Sequence, residues 1–190
     1  ILANELRYRL GEELRSFVAN GGLVLGICNG FQALVKAGLL PGGVADGQAA
    51  TLFNNASGRF QCEWIHMRVV DGGHSVFTRG MDATIELPIA HGEGRFVTDP
   101  ARVETLFAAG QVTLQYTDEA GRVTDASNPN GSIASIAGVS DPTGRVLGLM
   151  PHPERYVHGT QHPTWTRTGL KPEGDGLAFF RNAVRYAAGS

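Results

Sequence analysis

Cys28 stands in a run that could make sulfur reactive: Leu23-Val24-Leu25-Gly26-Ile27-Cys28-Asn29-Gly30-Phe31-Gln32. The residues before it are apolar and broken only by Gly26, the pattern of a buried parallel strand. The residues after it begin a helical pattern, with Phe31, Leu34 and Val35 on one face. A strand, a nucleophile and a helix, with small residues at minus two and plus two, make a nucleophile elbow carrying sulfur in place of a serine oxygen. The tight turn lifts the thiol above the sheet edge and aims the N–H groups of the helix start at it. Those partial positive charges favour a thiolate and any oxyanion formed beside it. A cysteine at a strand end is also a common small core residue, but a merely buried cysteine needs no glycine on either side.

An attacking thiol needs a base, and Pro151-His152-Pro153-Glu154-Arg155 offers one directly after the apolar strand Val146 to Met150. Functional groups in an open parallel sheet collect beyond the carboxyl ends of the strands, so Cys28 and His152 can reach one crevice. The flanking prolines restrict the backbone at His152. Glu154, two residues on in an extended segment, falls on the same side as the imidazole. A carboxylate there orients the ring and stabilises its cationic form. Taken singly, His152 reads equally as a surface histidine held by prolines, and Glu154 as a solvated charge or a partner of Arg155.

The elements that must position these groups follow from periodicity and turn residues. A helix over 3–19 carries Ala3, Leu6, Leu10, Leu14, Phe17 and Val18 on one face and stops at Gly21-Gly22. Strand 23–27 and helix 29–37 follow, the latter ended by Gly38 and a loop Leu39-Leu40-Pro41-Gly42-Gly43. Strand 59–70 is turned by Asp71-Gly72-Gly73, and strand 83–89 runs into Ala90-His91-Gly92-Glu93-Gly94-Arg95-Phe96. A helix near 101–109 precedes strand 111–117. Glu119-Ala120-Gly121 and Asp141-Pro142-Thr143-Gly144 are turns expected to separate hairpin strands. Strand 145–150 delivers His152, a polar loop runs to about 174, and a last helix over 175–188 shows Leu177, Phe180, Val184 and Ala187 on one side. The expected architecture is one α/β domain, an open, mostly parallel sheet flanked by helices, with inserted β hairpins.

The 190 residues suffice for one domain with a substantial core. A net charge of −2 with no basic stripe argues against a nucleic-acid partner, and no apolar run approaches membrane-spanning length. Two cysteines far apart do not make a disulfide framework, and a free thiol suits the cytoplasm. The sequence opens on Ile1, already within a helical stripe that feeds a buried strand. The expectation is therefore an N-terminally incomplete domain, 1–190, lacking one or two βα units of roughly 30 residues each.

The elbow Gly26 to Gln32 together with Pro151-His152-Pro153-Glu154 resembles the class I (triad) glutamine amidotransferases. The elbow with its continuation Ala37-Gly38-Leu39-Leu40-Pro41-Gly42, then Pro88-Ile89-Ala90-His91-Gly92-Glu93-Gly94-Arg95-Phe96, Asn128-Pro129-Asn130-Gly131-Ser132 and Met150 to Arg155 resemble one branch, the glutaminase of phosphoribosylformylglycinamidine synthase. The resemblance implies a flavodoxin-like fold, with Cys28 as nucleophile, His152 as general acid/base and Glu154 as the orienting carboxylate. It implies that Asn29 supplies an oxyanion N–H and that Gln32 helps hold glutamine. His91 and Gly92 would lie on a loop closing over glutamine or facing the synthetase, and Asn128 and Asn130 would shape the same rim. His91 reads equally as satisfying a buried carbonyl, and Asn-Pro-Asn-Gly as a turn. The family begins with strands and a glycine-rich loop whose N–H completes the oxyanion hole, a part expected before Ile1.

The implied partners are glutamine and a formylglycinamide ribonucleotide synthetase subunit or domain. ATP and magnesium would belong to that partner, with no cofactor or metal in this chain and no glycine loop with a lysine for phosphate. Two other readings fit the elbow: a different cysteine hydrolase of related fold, and a non-catalytic regulatory subunit. Metal binding through Cys28 and Cys62 lacks ligand pairs at zinc-like spacing.

Overall fold

A computed structural model describes residues 2–42, 48–70, 72 and 74–189, apart from the side chain of Arg7. The strands are β1 (Val24–Ile27), β2 (Ala50–Phe53), β3 (Gln61–Val69), β4 (Thr84–His91), β5 (Arg95–Thr98), β6 (Val112–Thr117), β7 (Ile136–Ser140) and β8 (Val146–Leu149). The helices are α1 (Leu2–Tyr8), α2 (Gly11–Ala19), α3 (Asn29–Lys36), α4 (Pro100–Ala108), the single turn α5 (Trp165–Thr168) and α6 (Leu177–Ala187). Six strands form one sheet in the order β1-β8-β7-β6-β3-β4, and β2 and β5 make a separate ribbon.

The α/β class and the helix-flanked sheet are as expected, but the sheet is mixed and not mostly parallel. Among the described strands only β1 and β8 pair in parallel, while the other neighbours in the six-stranded sheet are antiparallel. For β7 and β8 a short connection enforces this, because a tight turn can join only antiparallel strands. The β7–β8 turn is the expected one. The Asp141 carboxylate accepts from the N–H groups of Thr143, Arg145 and Val146, and Gly144 adopts φ +69° where a Cβ would meet the His74 carbonyl oxygen. At Glu119-Ala120-Gly121 the turn forms, but no strand follows until β7. The turn expected at Asp71-Gly72-Gly73 and the loop end at Gly43 lie partly or wholly outside the described residues.

Strands β6, β7 and β8 are buried along their whole length, as central strands covered on both faces must be. Phe31, Leu34 and Val35 of α3 pack on one face with Leu106, Val139, Val146 and Met150. Ile65, Met67, Leu87, Leu114, Leu147, Leu149 and Phe179 fill the other. Strand β4 alternates, with Ile85, Leu87, Ile89 and His91 turned inward. Although β4 is the far edge of the sheet, the curl brings it back to the end of β1 and β8: the His152 N–H donates to the Pro88 carbonyl at 2.9 Å.

Three local expectations are corrected. The helix over 3–19 is two helices, α1 and α2, because the chain leaves helical geometry at Leu10 (φ −117°, ψ 6°) just before Gly11, a poor helix former. Of its apolar stripe Val18 is buried, while Leu10 and Phe17 are about half exposed. The inward face of α6 is that of Phe179 and Ala183, not Val184, which is 68% exposed. Asn182 explains the rotation, since its amide donates to the carbonyls of Phe77 and Arg79 and fixes that side against the body. The ribbon β2–β5 has no counterpart in the expected elements. Its four-residue strands are too short for an alternating pattern to stand out.

The packing of α6 sets an expected contrast in urea unfolding. Phe179→Ala should cost about 3–5 kcal/mol as a buried aromatic truncation, whereas Val184→Ala should stay within about 0.5 kcal/mol. Equal losses would restore the stripe read from periodicity.

Candidate active site

The elbow is built as its sequence requires. Cys28 adopts φ 52°, ψ −106°, a left-handed conformation that non-glycine residues rarely hold. Its N–H donates to the Leu149 carbonyl at 2.9 Å, which extends the β1–β8 pairing by one bond. A Cβ on Gly26 would lie 2.4 Å from Leu34 and 2.9 Å from the Gly30 backbone, so the residue at minus two must be glycine. Gly30 is different: a Cβ there meets nothing within 4 Å, and the space above the elbow is open.

His152 follows the end of β8 and is 6% exposed. Its Nδ1 lies 2.6 Å from Glu154 Oε1, and its Nε2 is buried with no hydrogen-bond partner. The carboxylate does not reach the ring through an extended segment. Pro153–Arg155 is a short 3-10 turn, and Arg155 Nε approaches the same Oε1 at 3.5 Å. The thiol and this histidine share one support. Cys28 Sγ lies 3.8 Å from the Ala90 carbonyl oxygen, and Pro88, which holds the His152 amide, is two residues earlier on β4, about 7 Å along an extended strand. Glu154 and Arg155 both act on the thiol through space. Burial pushes the Cys28 thiol up, against the pull of the Asn29 N–H and the Arg155 guanidinium. The elbow amide thus lies where expected and favours the thiolate, while burial acts against it.

The residues expected around glutamine divide into two kinds. Asn29 is exposed at the helix start with its N–H on the sulfur. The Gln32 amide donates to the Glu93 carbonyl at 2.6 Å, joining α3 to the loop after β4. His91 and Gly92 lie on that loop. His91 is 3% exposed, with Nδ1 at 3.1 Å from Asn55 Oδ1, so it meets a side-chain oxygen, not the buried carbonyl of the alternative reading. The same oxygen accepts the Gly94 N–H at 3.0 Å, which makes Nδ1 the protonated nitrogen. Asn128 closes its own turn, donating to the Ser132 carbonyl and accepting from the Gly131 and Ser132 N–H groups. Its other surroundings are an open cleft of about 870 Å³ between β3 and residues 117–129, which does not include Cys28. Asn130 is 1% exposed and fully engaged. It donates to the Gly94 carbonyl and the Tyr116 hydroxyl and accepts from Ser132 twice. It has no bond left for glutamine and holds the loop instead.

Sequence reasoning missed Asn55, which ties the loop from the other side. Its N–H donates to the Gly92 carbonyl, and its amide donates to the carbonyls of Arg59 and His91. The one signal was Gly94, three residues after His91: a Cβ there would sit 2.3 Å from the imidazole. Among the described residues no three His, Cys, Asp or Glu side chains converge as metal ligands, and no helix is long and apolar enough to cross a membrane.

A cysteine on a strained elbow and a histidine bonded to a carboxylate, set at the ends of two strands paired in parallel, make a site of the cysteine-hydrolase class on an α/β fold. Residues 1–187 match the CobB/CobQ-like glutamine amidotransferase domain, and the chain belongs to that family. It is 49% identical over 189 residues to the phosphoribosylformylglycinamidine synthase subunit PurQ of Dehalococcoides mccartyi, covering 98% of this chain and 72% of the relative. The PurQ subunit of Methanococcus maripaludis is 38% identical over 199 residues, with 97% and 72% covered. A chain of the PurLQS structure from Thermotoga maritima superposes with a TM-score of 0.71 at 33% identity, over 97% of this chain and 71% of that one.

His91 gives the site a pH dependence of stability. Burial lowers its pKa to about 4, and the nearby His152 adds to the effect. The unfolded chain takes up this proton near pH ~6.5. Stability from the neutral ring is therefore complete above that pH and is lost as the pH falls toward the folded value. Urea midpoints should show the parent losing roughly 3 kcal/mol more than His91→Gln on descending through this window. Parallel curves would mean that His91 is charged in the fold.

Proposed function

We propose that the chain is the glutaminase component of phosphoribosylformylglycinamidine synthase, with Cys28, His152 and Glu154 as its catalytic groups. The observation that carries this is the bonded His152–Glu154 pair at the end of the strand that pairs in parallel with the strand bearing Cys28. Cys28 passes its proton to His152 and attacks the side-chain carboxamide of glutamine. The oxyanion is held by elbow amides, including the Asn29 N–H. His152 then gives the proton to the departing nitrogen, releasing ammonia and leaving a γ-glutamyl thioester. Water, deprotonated by the same imidazole, frees glutamate and restores the thiol. Glu154 keeps the proton on Nδ1, which leaves Nε2 to exchange protons with sulfur, nitrogen and water.

The ammonia passes to a formylglycinamide ribonucleotide synthetase subunit or domain, which uses it in de novo purine synthesis. ATP and magnesium act in that partner, and the cytoplasm, where a free thiol stays reduced, is the proposed site of action. A different cysteine hydrolase would need no such partner. Glutamine protection of Cys28 against alkylation separates the two readings.

In complex with the synthetase, Cys28→Ser should abolish glutamine-dependent synthesis and spare synthesis from free ammonium. Glutamine hydrolysis at the parental rate in that variant would refute the nucleophile. Glu154→Gln should slow hydrolysis less than His152→Ala, because the first keeps an acceptor for the Nδ1 proton and the second removes the base. The reverse order would give the carboxylate more than an orienting role.

A further inference from the structure

We infer that the Glu93 carboxylate binds the α-ammonium of the glutamine substrate and selects the amino acid over other carboxamides, an inference that rests on the glutaminase reading. Glu93 is held close to the nucleophile from two directions. Three residues before it, the Ala90 carbonyl lies 3.8 Å from Cys28 Sγ. Its own carbonyl accepts from Gln32, one helical turn beyond the elbow, where the Gln32 N–H closes onto the Cys28 carbonyl. Three residues of chain reach at most about 10 Å, so this backbone lies within about 14 Å of the sulfur, a gap that an extended glutamine and the Glu93 side chain can span together.

The position is also rigid. The next residue, Gly94, is fixed through its N–H by Asn55 and through its carbonyl by Asn130. These two side chains are 3% and 1% exposed. Between such anchors Glu93 is exposed, and among the described residues no cationic group lies within ion-pair distance of its carboxylate. Arg95, the nearest cation in sequence, is drawn over the Phe53 ring instead. The carboxylate of the triad is otherwise occupied, since Glu154 is engaged by His152 and Arg155. A carboxylate carried on an anchored backbone near a nucleophile, with no charge to answer it, suits a ligand that brings its own cation. Glutamine brings one at the end opposite the carboxamide. The Gln32 amide, expected to hold glutamine, gives one of its N–H groups to the Glu93 carbonyl.

The test uses the complex with the synthetase subunit and two ligands. Glutamine is the substrate. Glutaramate, with the same carboxamide and chain but hydrogen in place of the α-ammonium, is measured as a competing ligand. Glu93→Gln should raise the KM for glutamine roughly tenfold to a hundredfold, the range of a charge-assisted hydrogen bond, and should affect kcat less. The inhibition constant of glutaramate should not move, and Glu93→Asp should fall between parent and Gln. Equal weakening of both ligands would assign Glu93 a structural role and overturn the inference, as would an unchanged KM for glutamine. A parental complex that does not hydrolyse glutamine would instead refute the glutaminase reading itself.

Discussion

The parallel pairing of β1 with β8 is the constraint on which the site depends. It sets Ile27 beside Leu149, so that the next residue on one strand is Cys28, the proposed nucleophile, and a residue three further on the other is His152, the proposed base. The Cys28 N–H on the Leu149 carbonyl carries that register into the elbow itself. A slip would turn side chains to the opposite face of a sheet buried on both sides. The strain at Cys28 is tolerable only because this pairing, the contact of Gly26 with Leu34 and the start of α3 all act on the same turn.

Curl of the sheet supplies the second half of the site. Strand β4 is remote from β1 in hydrogen-bonding order, yet its carbonyls at Pro88 and Ala90 meet the His152 amide and the Cys28 thiol. The loop that follows is then fastened by Asn55, Asn130 and Gln32. The two imidazoles differ through their partners. His152 has a carboxylate at Nδ1 and no hydrogen-bond partner at its buried Nε2. His91 faces a neutral amide and is buried, so it remains uncharged and serves the loop. Environment, not residue type, separates the two rings.

This contrast also explains what could be read in the sequence. The elbow at Cys28 and the pairing of His152 with Glu154 were legible because strand ends and local spacing carry them, and these survive any rearrangement of the remaining sheet. The β7–β8 hairpin was legible from Asp141 and Gly144. The strand order was not, because the antiparallel pairings of β3, β4 and β6 are made by strands distant in sequence. Asn55 and Asn130 were illegible as loop anchors, since an asparagine in a polar loop looks the same whether it faces water or spends every bond inside the protein. The face of α6 was misread because one polar residue, Asn182, fixed the rotation that the apolar stripe left open.

The raised proton affinity of Cys28 fits this arrangement. A thiol beside the Ala90 carbonyl has an acceptor for its hydrogen, whereas a thiolate there would face the negative end of that dipole. Burial is the main cause of the raised affinity, Glu154 acts in the same direction, and the Asn29 N–H and Arg155 oppose them. In the proposed reaction, charge develops on sulfur only as the proton moves to His152, whose Nδ1 is bonded to Glu154. An anion formed by attack on a carboxamide then lies on the substrate oxygen, away from the carbonyl and toward the elbow N–H groups. The features that keep the free thiol quiet are thus compatible with fast chemistry, because they oppose charge on sulfur more than charge on the tetrahedral intermediate.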